Sequence, residues 1–197
     1  MSDDMAANLK NTENAQALGA FSLIEPVARG GMASIWRGVH TASQLPVAVK
    51  LLSADHARTT AFRRQFRNEV RAVARLQHPH LVLIYDHGIV GVDHPVLPVG
   101  APYLVMEWAS SGTLEDAPAP DDWHDVLGVL VAMLDALGHA HGRGILHRDL
   151  KPANLLICGV QDRRPGLKIA DFGLAMDLEG GEALFQRSGT PAYMAPE

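Results

Sequence analysis

Much that would decide the class of this chain is missing from it. It has one cysteine, Cys158, in 197 residues. No intrachain disulfide can form, and the thiol reads as a small core residue in a reducing compartment. There is no excess of positive charge: 17 Lys and Arg face 22 Asp and Glu, a net charge of −5. That balance argues against a nucleic-acid partner. There is no long apolar run either. "VLGVLVAML" (126–134) lies between Asp125 and Asp135 and is too short to span a bilayer. The start, "MSDDMAANLKNTENAQ", is acidic and polar, without the basic and apolar regions of a secretion signal. The default location is the cytoplasm. No internal repeat or low-complexity tract stands out. What remains is 47% apolar and 20% charged residues. That suits a soluble chain of one large domain or two small lobes.

Residues 1–18 read as a flexible tail. "FSLIEPVARGGMASIWRGVHTASQLPVAVKLL" consists of short apolar runs broken by Gly-Gly and "TASQLP", which predicts three antiparallel strands. In "TTAFRRQFRNEVRAVARLQHPH", Phe62, Phe66, Glu69, Val73 and Leu76 fall on one helical face, and His78-Pro79 ends the helix. "LVLIYDHGIV" and "APYLVMEWA" read as two more strands. "SSGTLEDAPAPDD" is a linker-like boundary. A long helix over 122–141 follows, with Trp123, Val126, Leu127, Leu130, Met133, Leu134 and Leu137 as its apolar stripe.

Two charges stand where charge is costly. Glu69 lies on the apolar stripe of its helix, so it must be paired, neutralised or bent out to solvent. Lys50 closes the strand "VAVK", sharing a face with Ala48. One inward acid and one inward base suggest each other. Further on, "HRDLKPANLL" gathers His147, Arg148, Asp149, Lys151 and Asn154 in a short irregular segment, and "DFG" follows the apolar strand "LKIA". Each piece alone could be a polar loop or a turn.

In this order the pieces resemble the eukaryotic-like bacterial serine/threonine protein kinases. The resemblance covers about Phe21 to Glu197: "ARGGMASI" for the Gly-rich loop, "VAVK", Glu69, "HRDLKPAN", "DFG" and "APE". It implies an α+β fold of the protein-kinase type: a β-rich first lobe with one helix, 19–108, and an incomplete, mainly helical second lobe, 109–197. It implies ATP and Mg2+ as cofactors and Ser/Thr hydroxyls of proteins as acceptors. By the resemblance Lys50 meets the α- and β-phosphates, Glu69 orients Lys50, and Asp149 orients the acceptor hydroxyl and takes its proton. Lys151 adds positive charge at the transferred group, and Asn154 and Asp171 hold magnesium. Ala28, Gly30 and Gly31 form the phosphate loop. Ile35, Ala48 and Leu156 enclose adenine, Met106 is the gatekeeper, and Glu107 and Ala109 bind the adenine edge by their backbones. Arg148 meets an activation-loop phosphate, Thr190 binds the catalytic loop, and His147 stacks with Phe172.

The chain departs from the pattern in three places. The family's three loop glycines map to Ala28, Gly30 and Ala33, so only one survives, with Gly31 beside it; a stiffer lid is expected. "EDAPAPDD" is short for the helix that usually follows the hinge. The ending "GTPAYMAPE" closes an activation segment where the family's domain continues. A fragment of a longer kinase, itself inactive and poorly folded with Leu130, Leu134 and Leu137 uncovered, is therefore the expectation. The rivals are a nucleotide-binding pseudokinase or scaffold fragment and a small-molecule kinase of the same broad fold. Intact Lys50, Asp149, Asn154 and Asp171 argue against the first for the parent protein. "HRDLKPAN" and "APE" argue against the second.

Overall fold

Alternating apolar residues and turn signals organise the first half of the chain into one antiparallel sheet. The computed structural model describes residues 16–30, 33–53, 59–91, 94, 97–172 and 190–193. The strands are β1 (Gln16–Leu18), β2 (Phe21–Arg29), β3 (Ala33–His40), β4 (Pro46–Leu52), β5 (Ile84–Ile89) and β6 (Pro102–Glu107). Their order across the sheet is β1-β2-β3-β4-β6-β5. The five strands read from sequence are all there. The sixth, β1, corrects the expectation of a tail through residue 18. Leu18 pairs with Phe21 across a two-residue turn at Gly19, whose φ of 59° suits glycine. Both residues are buried.

Register sorts the sheet into two faces. Val47, Val49 and Leu51 of β4 pack with Leu23, Val105 and Leu97 in a buried apolar cluster. Burial of this kind stabilises at about 25 cal/mol per Å² of apolar surface. On the other face, Ala28 pairs with Ile35, Ile35 with Lys50, and Ala48 with Met106. Gly38 of β3 is required by close approach: a Cβ there would stand 2.7 Å from the Ser22 carbonyl oxygen.

Helix α1 (Thr60–Val73) is capped by the Thr59 hydroxyl, which accepts from Phe62 N–H at 3.1 Å. It buries Phe62, Phe66 and Val70. Helix α2 (Trp123–His141) is capped by Asp122, whose carboxylate accepts from the backbone N–H groups of His124 and Asp125. Residues 108–122 contain no helix. A small hairpin, β7 (Leu155–Cys158) with β8 (Gly166–Ile169), completes the described elements, with 3-10 turns at Pro152–Asn154 and Pro191–Tyr193.

Only Met133 and Leu137 of the α2 stripe read from sequence pack on the cluster that the helix covers. Ala132, Ala136 and Ala140 are buried, while Trp123, Val126, Leu127, Leu130 and Leu134 are exposed. Three alanines four residues apart let the helix lie close against the cluster of Leu76, Leu81, Leu155, Ile169 and Phe172. Leu137, expected among the uncovered residues, packs against that same cluster.

The chain divides into two compact units: Met1–Arg63 with Ile84–Trp108, and Arg64–Leu83 with Ala109–Glu197. The reading from sequence gives all of 19–108 to the first lobe, whereas here Arg64–Leu83 belongs with the second unit. Leu76 and Leu81 supply apolar burial there. The Arg164 guanidinium adds polar anchors by donating to the carbonyls of His78, Pro79 and Leu81.

Candidate active site

The hairpin β7–β8 builds the polar centre of the second unit. Leu155 lies opposite Ile169, so Asn154 and Asp171 flank the same end of the hairpin. The Ala170 N–H donates to the Asn154 carbonyl at 2.9 Å and locks that end. Asn154 is buried, and its side-chain Nδ2 donates to the Asp149 carbonyl at 2.7 Å. Asp171 has a φ of 62° and Arg148 a φ of 68°, left-handed conformations that L residues adopt at a cost. Here the hairpin and the hydrogen-bonded loop hold them. The Asp171 Oδ1 atom is shielded from solvent.

Asp149 is half-buried among donors. Its Oδ2 lies 2.8 Å from Lys151 Nζ, and its Oδ1 accepts from the Thr190 hydroxyl at 2.7 Å. Lys151 Nζ also donates to Thr190 Oγ1 at 2.9 Å. Burial works to raise the Asp149 pKa, but hydrogen bonds from Lys151 and Thr190, the Lys151 charge and Asn154 outweigh it, and the net shift is downward from 3.8. The carboxylate is therefore ionised across the physiological range. Thr190 and Asp149 are 41 residues apart in sequence, and this contact is what joins them.

His147 acts as a strut. Its Nδ1 accepts from Asp149 N–H at 3.3 Å, which leaves the proton on Nε2 to donate to the Ala170 carbonyl at 2.8 Å. The ring is buried and meets Phe172 edge-on at 4.6 Å. Burial, chiefly, depresses its pKa below 6.5, so the ring is neutral.

Glu69 stands on α1, half-buried, with Oε1 accepting from Gln65 Nε2 at 3.0 Å. Its Oε2 is buried with no hydrogen-bond partner among the described residues. Desolvation raises its pKa above 4.5, opposed by the Gln65 bond and the Arg148 charge. The reading from sequence missed Gln65, although its i, i+4 spacing to Glu69 was visible.

The remaining candidates divide between the units. In the first, Ala28, Ile35, Ala48, Lys50 and Met106 share one face of the sheet by register; Ala48 and Met106 are buried and Glu107 is buried beside them. Gly30 donates its N–H to the Ala33 carbonyl at 2.8 Å, closing the β2–β3 turn. Gly31 lies outside the described residues, as do Gly173, Ser188 and the APE residues. In the second unit, Ala109 and Leu156 are half-buried. An isolated bridge joins Thr113 to Leu156, which brings the segment after Ala109 alongside β7. Among the described residues no group of three or more His, Cys, Asp or Glu could hold a metal by itself. No helix among them is long and apolar enough to cross a membrane.

An acid pinned between a lysine and a threonine at the end of a hairpin, a neutral histidine strut and an antiparallel six-stranded sheet together define a protein-kinase fold. The sequence matches the protein kinase domain family over residues 21–197, and the chain belongs to that family. It is similar to bacterial serine/threonine-protein kinases. A probable one from Streptomyces coelicolor is 35% identical over 189 residues, covering 91% of this chain and 26% of that protein. PknL of Mycobacterium tuberculosis is 38% identical over 178 residues, covering 87% of this chain and 41% of that protein. PrkC of Bacillus subtilis is 32% identical over 184 residues, covering 91% and 26%. The chain thus spans between about a quarter and two fifths of the relatives it matches. Among solved structures, the kinase domain of Mycobacterium tuberculosis PknI aligns with a TM-score of 0.64 at 28% identity, covering 81% of this chain and 62% of that one.

Proposed function

We propose that this chain carries the nucleotide and catalytic segments of a serine/threonine protein kinase that transfers the γ-phosphate of ATP to protein Ser or Thr hydroxyls. The observation that carries the reading is the Asp149–Lys151–Thr190 triangle, an ionised carboxylate held beside a cation. Phosphoryl transfer asks a protein mainly for positioning and charge neutralisation. Asp149 holds the acceptor hydroxyl and takes its proton. Lys151 neutralises charge on the moving group. The sheet-bearing unit, 16–63 with 84–108, acts as the nucleotide lobe, and 64–83 with 109–197 as part of the substrate lobe. Ile35, Ala48, Met106 and Leu156 offer apolar surface to adenine, and the backbones of Glu107 and Ala109 read its edge. Ala28, Gly30 and Gly31 line the phosphates, and Lys50 contacts them. Glu69 orients Lys50; its buried Oε2 is an acceptor suited to a cation.

Asn154 and Asp171 fit a magnesium ion. Their oxygens are hard donors fixed at one hairpin end. When bound, Mg2+ supplies positive charge to the phosphate oxygens. ATP chemistry and the buried free thiol of Cys158 both suit the cytoplasm. We read these 197 residues alone as turning over poorly, because the exposed apolar stripe of α2 is left wet.

The test uses the full parent protein. Mg-ATP binding is followed with a fluorescent analogue and transfer to a generic basic protein with mapped acceptor residues. Lys50→Met is expected to lower transfer by at least about 10², the scale of losing one fixed charge at a developing anion. Wild-type turnover in Lys50→Met, or phosphate on a small molecule and never on Ser or Thr, would overturn the reading.

Activation is expected to be unusual. Residues 171–187 contain no Ser, Thr or Tyr. Glu179 or Glu182, outside the described residues, would stand in for the usual loop phosphate opposite Arg148, though with fewer acceptor oxygens. The double change Glu179→Gln/Glu182→Gln should lower transfer about tenfold, roughly 1.4 kcal/mol. Ser188→Ala should leave it near wild type. The reverse pattern in a steady-state assay removes the acid-for-phosphate idea.

A further inference from the structure

Outside the catalytic loop, three imidazoles and a carboxylate meet where the connection from α1 to β5 crosses α2. His78 is nearly buried. Its Nδ1 accepts from the His80 backbone N–H at 3.2 Å, so its proton sits on Nε2, which donates to Asp135 Oδ2 at 3.2 Å. The His139 ring, one helical turn beyond Asp135, lies against the His78 ring with centroids 5.0 Å apart. On its other side His78 faces His80 at 5.8 Å, whose Nδ1 is 3.0 Å from the Leu167 carbonyl on β8. The charged groups facing this row are Asp135 from α2, Arg143 just beyond its C-terminus and Arg164 from the β7–β8 turn; Lys168 lies on β8 next to Leu167 in sequence. The Arg164 guanidinium grips the backbone of the same connection, and Lys168 Nζ is held by the Pro165 carbonyl. His139 Nε2 is buried with no hydrogen-bond partner among the described residues. The row does not form a metal site.

We propose that His139, wedged against His78, is a proton-triggered release for the connection that runs from α1 to β5. A neutral imidazole can leave one buried nitrogen unbonded at modest cost. A cationic one cannot. Whichever nitrogen takes the proton, the ring then carries two N–H groups, one of them buried without an acceptor. The added charge also lies between Arg143 and His78, with only Asp135 to offset it. Desolvation, Arg143 and His78 all push the His139 pKa below 6.5, and Asp135 alone opposes them. The sign follows from linkage. The folded chain binds fewer protons at His139 than the unfolded one, so stability is whole above the ordinary histidine pKa and falls as pH drops below it. The loss falls on the connection carrying Leu76 and Leu81, the anchor of the α1 C-terminus and so of Glu69. Acid would loosen the helix that positions Glu69. Only that consequence rests on the kinase reading; the release itself is measured without phosphate transfer.

The test is amide exchange with histidine NMR on the full parent protein between about pH 7.5 and about pH 5. Protection of amides in 76–83, corrected for intrinsic exchange, should fall about tenfold as the His139 ring titrates. His139→Gln should abolish the fall. Asp135→Asn, which removes the one group favouring the charged ring, should deepen the fall while its onset stays at the ordinary histidine pKa that the released ring sets. Should His139→Gln fail to fold by circular dichroism, the deeper fall in Asp135→Asn still decides. Protection independent of pH, a fall that survives in folded His139→Gln, or a shallower fall in Asp135→Asn overturns the proposal.

Discussion

Replacing Asp149 by Asn is expected to lower phosphoryl transfer by about 10² to 10⁴ while leaving Mg-ATP binding within about twofold of wild type. At 1.36 kcal/mol per decade that is about 3 to 5 kcal/mol of transition-state stabilisation. The asymmetry between binding and rate comes from where Asp149 sits. It belongs to the second unit and is bonded to Lys151, Thr190 and Asn154, whereas Ile35, Ala48 and Met106 belong to the sheet of the first. Asn has nearly the same shape and can still accept from the Thr190 hydroxyl. It cannot take a proton, and it leaves the Lys151 ammonium facing a neutral amide. A change confined to charge and basicity should therefore show in kcat and not in nucleotide affinity. The downward pKa shift of Asp149 adds a pH signature. A carboxylate depressed below 3.8 stays ionised as pH falls through the histidine range. Any acid limb of transfer between about pH 5 and pH 7 then belongs to another group and should persist when Thr190→Val weakens the hold on Asp149. A loss below tenfold in Asp149→Asn, measured by initial rates at saturating ATP, would remove Asp149 from its assigned role.

The catalytic loop was legible because its residues are close in sequence and its chemistry is unusual. His147, Asp149, Lys151 and Asn154 lie within eight consecutive positions, and the local turn needs few distant contacts to bring them together. The sheet was legible for a similar reason: alternation and turn residues encode strands locally. What failed were features set by packing. The alanine face of α2 went unread because periodicity weights large side chains. Ala132, Ala136 and Ala140 won the interior because small residues permit close approach to the Leu76–Ile169 cluster. Strand β1 was missed because three residues show no period, and only the turn at Gly19 marked it. The histidine row was invisible because residues 78, 80, 135 and 139 meet only when a connection folds across a helix. Glu69 is the intermediate case: its place on an apolar stripe announced a constrained acid and the i, i+4 spacing offered Gln65 as a partner, but its buried Oε2 could not be read from spacing.

Asp171→Ala is expected to lower transfer by about 10³ or more, comparable with losing a principal charge-stabilising group, and to weaken ATP only when magnesium is present. The second half of that expectation separates a metal-holding role from a structural one. Asp171 sits two residues after β8 in a left-handed conformation, with a φ of 62°. Alanine tolerates that region worse than Asp, so some loss of local order is expected from backbone alone. Such a loss would weaken ATP binding with or without magnesium and would disturb the Ala170 carbonyl that His147 grips at 2.8 Å. A lost metal contact would instead leave magnesium-free binding unchanged and abolish the gain that magnesium brings. Asp171→Asn provides the control, because Asn visits left-handed backbone readily and keeps one oxygen donor but not the charge. Titrating a fluorescent ATP analogue against wild type and both variants, with magnesium and with a chelator, gives four comparisons that a merely structural residue cannot satisfy. If both variants bind equally weakly under chelation, Asp171 shapes the hairpin end and the metal is held elsewhere. If magnesium tightens ATP in wild type, hardly at all in Asp171→Ala and by an intermediate factor in Asp171→Asn, then the charge at this hairpin end is what fastens the phosphates. Asn154, bonded across the same end through the Ala170 N–H, then becomes the next residue to change.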